Sequence, residues 1–285
     1  MRQSSFSPAA LQRRIACALG QSGCDLVLRN ARIFNVFTKA FVDHCDVAIA
    51  DGIIVNVGPQ LAVHGKSEID LENAILVPGF IDAHVHIESS MLRPTEFARL
   101  ILSKGTTTIV ADPHEIANVC GLEGIRFMLQ DAKDAAVDIR FMLPSCVPAT
   151  PFETSGASLT ADELRTLIDN PDVMGLAEVM NVPAVLSGDS EMLEKLTMAH
   201  VANKHIDGHA PMLEGDGLSA YVAAGVSSDH ECSTAKEALE RISRGMTVFM
   251  REGSAGQTLA PWHLSSHRKT VLCSACVRTT RPPTT

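Results

Sequence analysis

The alternation of short apolar runs with amphipathic segments, from residue 77 almost to the end of the chain, most constrains the fold. The runs predict strands at residues 77–86, 106–112, 138–144, 173–178, 205–209, 226–229, 246–251 and 270–274. Most gaps have helical periodicity, for example residues 95–103, 122–136, 160–169, 190–202 and 235–244. Because strands that alternate with helices pair in parallel, the pattern predicts an α/β protein with a (β/α)8 barrel of the TIM type.

The region before the barrel has a different, β-rich pattern over residues 25–76. Two runs of alternating hydrophobicity flank Asp51-Gly52, a pair of residues typical of a tight hairpin turn. We predict a small N-terminal β-sandwich subdomain at 25–76, preceded by a helical segment at 1–24 and followed by the barrel at 77–274.

The last residues do not resemble the rest of the chain. Helical periodicity is lost after residue 256, and residues 278–285 are polar and rich in proline and threonine. Such a segment cannot supply the eighth helix of a barrel, so we expect a barrel that is incomplete at its C-terminal end, with a non-native-looking tail at 275–285. A natural disordered tail and a frame-shifted or prematurely ended reading frame both explain this composition, and the second is favoured.

Charge and apolar content exclude several classes of protein. The net charge is −9 and the basic residues form no stripe, so nucleic acid is not an expected partner. No apolar run approaches the roughly 20 residues that a membrane-spanning helix needs, so no membrane partner is expected. The cysteines follow no repeated spacing, which is typical of reduced thiols in a cytoplasmic protein. We expect a cytoplasmic protein with a small-molecule partner, and the sequence is compatible with a homo-oligomer.

Metal-competent side chains recur at the C-terminal ends of the predicted strands, where the catalytic groups of a barrel lie. The first strand ends in His84 and His86, and this spacing places both rings on one face of the strand. Later strands end in Asp112-Pro113-His114-Glu115, Glu178, His209 and Asp229-His230-Glu231. Imidazoles and a carboxylate that converge on one rim are costly to desolvate unless they bind a ligand. The sequence therefore predicts a metal centre at this rim.

Several neighbours of these residues have two interpretations. Asp82 either binds metal or orients the ring of His84 or His86 through a hydrogen bond, and we favour the second role. His114 and Glu115 either contact substrate or cap the helix that follows. We assign four residues to substrate binding: Glu88, His114, Glu115 and Asp229.

Together the motifs resemble the amidohydrolase superfamily. Residues 77–90, which contain Asp82-Ala83-His84-Val85-His86, are similar to its first barrel strand. More narrowly, the motifs at 112–119, 143–148, 177–181, 207–211 and 228–231 together resemble the family of bacterial adenine deaminases. The likeness extends over roughly residues 24–256, and so many ordered motifs make it specific.

The resemblance implies hydrolysis of adenine to hypoxanthine and ammonia, as in purine salvage, at a binuclear centre that holds manganese or iron. It implies that His84 and His86 bind one ion, that Glu178 bridges the pair, and that His209 and His230 bind the other. Glu178 and His230 are also the implied catalytic residues. Two divalent cations lower the pKa of a water between them, which can then attack an electron-poor ring carbon. Relatives such as dihydroorotase and urease use a carbamylated lysine as the bridge, and the strand around Glu178 contains no lysine.

The sequence departs from the family at strand eight. The family has an aspartate there, in a Ser-Asp-Asp motif, whereas Ala275 and Cys276 follow Ser274 and no Asp or Glu occurs after Glu252. Loss of a general acid/base costs typically ~10²- to 10⁴-fold in rate, so we expect this chain to be impaired or inactive alone. Two other interpretations are an amidohydrolase that acts on a cyclic amide or another amino-heterocycle, and a noncatalytic remnant that binds metal.

Overall fold

A computed structural model describes residues 7–150, 152–251 and 274–277 of the chain. The chain divides into two compact units, Met1–Pro78 and Gly79–Thr285. No helix among the described residues combines the length and the apolar character that a membrane crossing needs.

The first unit is a mixed sheet with one helix. Its elements are α1 (Pro8–Ala18), β1 (Cys24–Asn35), β2 (Ala40–Ala50), β3 (Ile53–Pro59), β4 (Gly65–Asp70) and β5 (Ile75–Leu76). The strand order is β3-β2-β1-β4, and β5 also pairs with β1. Strands β1, β2 and β3 pair antiparallel, whereas β4 and β5 run parallel to β1.

The predicted hairpin between β2 and β3 is confirmed. Asp51 and Gly52 form its two-residue turn, with φ values of 53° and 71°. Two positive φ values fit the right-handed twist of the flanking strands, and glycine adopts such a value at no steric cost.

The predicted sandwich does not form within the described residues of this unit. A single sheet is present, and Cys17 of α1 is buried in one core cluster with residues of the sheet and of the segment after β3, namely Cys24, Val27, Ala48, Ala50 and Val63. An amphipathic helix can cover the apolar face of a sheet as a second sheet does, and α1 supplies that layer here.

The second unit confirms the predicted α/β barrel architecture. Its strands are β6 (Phe80–Val85), β7 (Thr106–Ala111), β8 (Asp138–Pro144), β9 (Val173–Val179), β10 (His205–Gly208), β11 (Ser228–Asp229), β12 (Thr247–Arg251) and β13 (Ser274–Val277). All neighbours pair in parallel and in chain order, and β13 contacts β6, so the sheet nearly closes. Residues 270–273 of the predicted last strand and residues 278–285 of the tail predicted at 275–285 lie outside the described residues, whereas residues 275–277 of that tail belong to β13.

Helices connect most of these strands. They are α2 (Pro94–Leu102), α3 (His114–Asp131), α4 (Ala161–Arg165), α5 (Val182–Ser187), α6 (Ser190–Val201), α7 (Gly215–Ala223) and α8 (Ala235–Ser243). Helix α3 begins at His114, well before the predicted start at 122, and is interrupted at Gly121, where φ is 60° and ψ is −144°. That break interrupts the helical phase of the sequence, which explains why periodicity revealed only the second part.

The barrel positions the candidate site by simple geometry. Because β6 to β12 run in parallel, their C-terminal ends meet at one rim. The strands are packed in one core of buried apolar residues, among them Val85, Ile109, Phe141, Leu176 and Ile206. Side chains that end these strands are therefore held close together over a rigid core.

Candidate metal centre

Glu178, near the end of β9, is the centre of the site. Its side chain is 3% exposed, and the Oε1 atom lies 2.9 Å from Nε2 of His84 and 2.9 Å from Nε2 of His230. Nε2 of His86 lies 3.3 Å from the same oxygen, and Nδ1 of His209 lies 3.7 Å from it. The structure thus brings together all of the metal ligands predicted from the sequence.

The backbone at Glu178 is strained. Its φ is 27°, which residues with a side chain rarely adopt, and the register between β9 and β10 shifts near this point. Strain of this kind costs about 1–3 kcal/mol and persists where the surrounding structure imposes it, often at functional sites. The bend at the end of β9 therefore supports a functional role for this carboxylate.

The two histidines of β6 adopt the arrangement that their spacing predicts. The Nε2 atoms of His84 and His86 lie 3.1 Å apart, and Nδ1 of His86 lies 3.0 Å from the backbone oxygen of Asp112. That carbonyl accepts a hydrogen bond from Nδ1–H and so favours the tautomer in which Nε2 has a free lone pair.

Asp207 of β10 contacts two imidazoles from other strands. Its Oδ2 atom lies 3.5 Å from Nδ1 of His84 and 3.4 Å from Nδ1 of His230, whose rings stack at 3.9 Å. Its Oδ1 atom accepts a hydrogen bond from the hydroxyl of Ser228. A carboxylate in this position orients both rings and favours the proton on Nδ1, which leaves Nε2 to face Glu178.

Asp82 and Asp207 share the same spacing from a histidine but make different contacts. Asp82 Oδ1 accepts a hydrogen bond of 3.3 Å from the backbone N–H of His84. The ring of His84 meets Asp207 on its Nδ1 side. Asp207 was not among the predicted site residues. Its position two residues before His209 is the sequence feature that could have identified it.

Asp112 and His114 lie on the other side of Glu178. Nδ1 of His114 is 2.9 Å from Oδ2 of Asp112 and 3.5 Å from Oε2 of Glu178. Asp112 is 1% exposed. Asp112 lies in the predicted motif at the end of the second strand, but no role was predicted for it.

Glu231 joins the other edge of the site. Its Oε1 atom lies 3.8 Å from Nδ1 of His209 and 3.8 Å from Nε2 of His230, and it also pairs with Arg251 of β12. These three donors form one of the groups whose ligand atoms are close enough to hold a metal ion. Glu231 was not among the predicted site residues, although it directly follows His230.

Asp229 does not join the group of ligands. It is fully buried, its Oδ2 atom accepts a 2.6 Å hydrogen bond from Nε of Arg241, and its Oδ1 atom accepts one of 2.8 Å from the backbone N–H of Glu231. Both oxygens therefore accept hydrogen bonds from within the protein. In this arrangement Asp229 holds Arg241 and the backbone of Glu231, and not the substrate that was predicted for it.

The remaining candidates line the side of the rim near β6 and α3. The hydroxyl of Ser89 donates to Glu115 Oε1 over 2.8 Å, and Glu115 Oε2 lies 3.5 Å from Nδ1 of His86. Glu88 Oε1 accepts from the backbone N–H of Ile116 at 3.3 Å. Burial raises the pKa of Glu88 to about 7. Glu88 and Glu115 thus lie beside the predicted ligands.

Electrostatics at the centre depend on a balance between burial and pairing. Burial raises the pKa of Glu178, but hydrogen bonds from the surrounding imidazoles outweigh it and hold the pKa well below its usual value. Burial lowers the pKa of His230, but hydrogen bonds to Asp207 and Glu178 raise it to about 10. Burial also lowers the pKa values of His86 and His114, but nearby carboxylates outweigh it. Glu178 raises the pKa of His86 to about 9, and Asp112 raises that of His114 to about 9. Without a metal the site therefore holds protons on its imidazoles.

The donor set fits divalent cations. Imidazole nitrogen and carboxylate oxygen are the ligands that zinc, manganese and iron accept in hydrolases. Nδ1 of His209 is buried and finds no hydrogen-bond partner within the described part of the chain. A buried nitrogen without a partner is costly, and a cation beside Glu178 Oε1 removes that cost.

The barrel region also matches known proteins. The family model of the amidohydrolases matches residues 75–264. Adenine deaminase of Clostridium acetobutylicum is 51% identical over 249 residues, which cover 87% of this chain and 43% of that protein. Adenine deaminase 2 of Carboxydothermus hydrogenoformans is 54% identical over 245 residues, which cover 86% of this chain and 42% of that protein. The chain thus spans less than half the length of the curated relatives it matches.

Solved structures share the fold at lower identity. Atrazine chlorohydrolase from Arthrobacter aurescens TC1, in complex with zinc, is 15% identical with a TM-score of 0.64, over 90% of this chain and 72% of that one. N-acyl-D-glutamate deacylase from Bordetella bronchiseptica, also with zinc, is 15% identical with a TM-score of 0.54, over 81% of this chain and 58% of that one. These likenesses show the fold alone.

Proposed function

The chain belongs to the amidohydrolase family, and on that premise we propose that it serves the metal-dependent hydrolytic deamination of adenine to hypoxanthine and ammonia in purine salvage. In this reaction a C–O bond forms between water and the amino-bearing ring carbon and the C–N bond breaks; one water proton leaves with the amine as ammonia, and the other remains on hypoxanthine. The observation that carries the proposal is the buried Glu178 carboxylate surrounded by imidazoles. The 51% identity to an adenine deaminase supports the choice of substrate.

We propose that two divalent cations, manganese or iron, bind at this centre. His84 and His86 would hold one, His209 and His230 would hold the other, and Glu178 would supply the carboxylate that both share, which the contacts around Oε1 support. Bound cations act as Lewis acids and lower the pKa of a coordinated water to near neutrality. The low pKa of Glu178 keeps the carboxylate ionised, which a bridging ligand requires.

Two residues are proposed to be catalytic, Glu178 and His230. Asp207 lies 3.4 Å from Nδ1 of His230 and favours a proton there, so that the lone pair of Nε2 is available to a cation beside Glu178. Both side chains are almost fully buried, and exclusion of water strengthens every charge interaction between them and a bound substrate.

The substrate is proposed to contact the rim formed by the start of α3 and the turn after β6. His114, Glu115 and Glu88 supply an imidazole and two carboxylates there, which suits a heterocycle with several ring nitrogens and an amino group. The hydrogen bond from Ser89 holds Glu115 in place. These three residues are not among the histidines that contact Oε1 of Glu178.

Several broader expectations are proposals as well. They are a cytoplasmic location, the absence of nucleic-acid and membrane partners, a homo-oligomeric state, and the boundaries at residues 24, 76 and 274. The net charge of −9 supports the exclusion of nucleic acid.

The test is ammonia release from adenine by the manganese-loaded 285-residue chain. We expect metal-dependent release that the Glu178→Gln variant abolishes. Because residues 253–285 contain no carboxylate, we expect a rate about 10²- to 10⁴-fold below that of a full-length relative. Hydrolysis of a cyclic amide such as dihydroorotate, without release from adenine, overturns the proposed substrate.

A further inference from the structure

The two oxygens of Glu178 face different donors. The contacts of His84, His86, His209 and His230 are all with Oε1, at 2.9 to 3.7 Å. Oε2 instead lies 3.5 Å from Nδ1 of His114. The imidazoles that the family resemblance assigns to both cations thus crowd around one oxygen, and the other oxygen faces a separate group.

Asp112 provides the second member of that group. Its Oδ2 atom lies 2.9 Å from Nδ1 of His114, while its Oδ1 atom finds no hydrogen-bond partner among the described residues. The side chain is 1% exposed. A buried carboxylate oxygen without a partner is costly to desolvate, and a cation held at this atom would offset that cost.

The remaining geometry also suits an ion. One ligand atom each from His86, Asp112, His114 and Glu178 all lie within 4.8 Å of one another. Two carboxylates and one or two imidazoles are a donor set that manganese, iron and zinc share. The rings of His86 and His114 meet edge to face with their centroids 4.6 Å apart, which keeps one ring nitrogen of each histidine near the two carboxylates.

We propose that Asp112 and His114, with Oε2 of Glu178, form a further divalent-cation position beside the ligands that the family resemblance assigns. The inference rests on the proposed metal centre, because Glu178 belongs to both. It changes the role of His114 from substrate contact to ligand and gives Asp112 a function. Oε2 of Glu178 then serves this further cation, while Oε1 faces the imidazoles of the proposed binuclear centre.

A hydrogen-bonded pair without a cation is the competing explanation. In that case Nδ1–H of His114 donates to Asp112 Oδ2, and the contact is complete. The pair alone leaves Asp112 Oδ1 unsatisfied, and the 3.5 Å approach of Glu178 Oε2 to the same nitrogen brings a second anionic oxygen to this point. A cation satisfies all three atoms at once.

The test is the manganese content of the 285-residue chain after loading and dialysis, measured by elemental analysis. We expect Asp112→Asn and His114→Gln each to hold one equivalent of Mn²⁺ less than the parent. His44→Gln is the matched control, because His44 is an exposed histidine of the first unit and its loss should leave the content unchanged. Cobalt loading provides a second readout, since each variant should lose part of the visible absorption of the parent.

Equal manganese content in the parent and in folded Asp112→Asn and His114→Gln overturns the inference. If Asp112→Asn fails to fold by circular dichroism, His114→Gln decides alone, because that side chain is partly exposed. His209→Asn separates the two proposals. A loss of manganese in His209→Asn but not in the other two variants sinks this inference and leaves the proposed centre intact, whereas unchanged content in every variant sinks both.

Discussion

Arg241 donates a 2.6 Å hydrogen bond from Nε to Oδ2 of Asp229, and both side chains are fully buried. The guanidinium also donates to the backbone oxygen of Ala210, which follows His209. Asp229 in turn precedes His230 and accepts from the backbone N–H of Glu231. One ion pair under the rim therefore ties together the two strand ends that present His209 and His230.

Replacement of Arg241 by Met should destabilise the chain and weaken metal binding. It leaves the Asp229 carboxylate buried without its partner, which costs about 3–5 kcal/mol. Lys236→Met is the control, since Lys236 lies on the same helix but its pair with Glu214 is exposed and screened by solvent, so its loss should have little effect. Urea denaturation and manganese titration measure both effects, and equal results for the two variants contradict the positioning role.

Replacement of Asp207 by Asn should lower manganese affinity by about 10- to 100-fold, as typical for residues that orient metal-binding imidazoles. The reason is that Asp207 contacts Nδ1 of both His84 and His230. Asp82→Asn is the comparison, because Asp82 accepts from a backbone N–H of β6, and we expect a smaller loss. Calorimetric titration with Mn²⁺ distinguishes them, and a larger loss in Asp82→Asn contradicts the assignment.

Replacement of Glu178 by Gln should abolish tight binding of at least one cation. The amide keeps the size of the side chain but removes the charge that the imidazoles and cations share. The metal-free variant should remain folded, because a neutral group in the same position costs less to bury. Elemental analysis and circular dichroism check the two parts, and full metal content in the variant contradicts a bridging role.

The stability of the metal-free chain should fall as the pH rises from about 6.5 to about 10. In the folded state the pKa values of His86 and His114 are about 9 and that of His230 is about 10, against about 6.5 when unfolded. The folded chain therefore binds more protons in this window, so its extra stability is full below pH 6.5 and disappears through pH 9–10. Glu88, with a pKa of about 7, acts in the same direction at lower pH.

Denaturation by urea in the presence of a chelator at pH 6.5, 8 and 10 measures this dependence. Manganese should reverse it, because a cation requires the unprotonated imidazole and displaces the proton. Proton release on metal addition at pH 7.5 in weak buffer is the direct check. A metal-free chain that becomes more stable between pH 6.5 and pH 10 is inconsistent with these pKa values.

Features that depend on local periodicity could be predicted from the sequence. Alternation of strands and helices predicted the barrel, Asp51-Gly52 predicted the hairpin, and the spacing of His84 and His86 placed both rings on one face. These outcomes follow from the backbone geometry of single elements, which a short stretch of chain specifies alone.

Which side chains contact each other at the rim became clear only from the folded chain. Asp82 and Asp207 each precede a histidine by two residues, yet Asp207 reaches His84 and His230, which come from other strands. Asp229 was predicted at the substrate and instead pairs with Arg241 of α8. Such contacts join residues far apart in the chain, and they depend on strand register, on the bend at Glu178 and on burial, which no local pattern records.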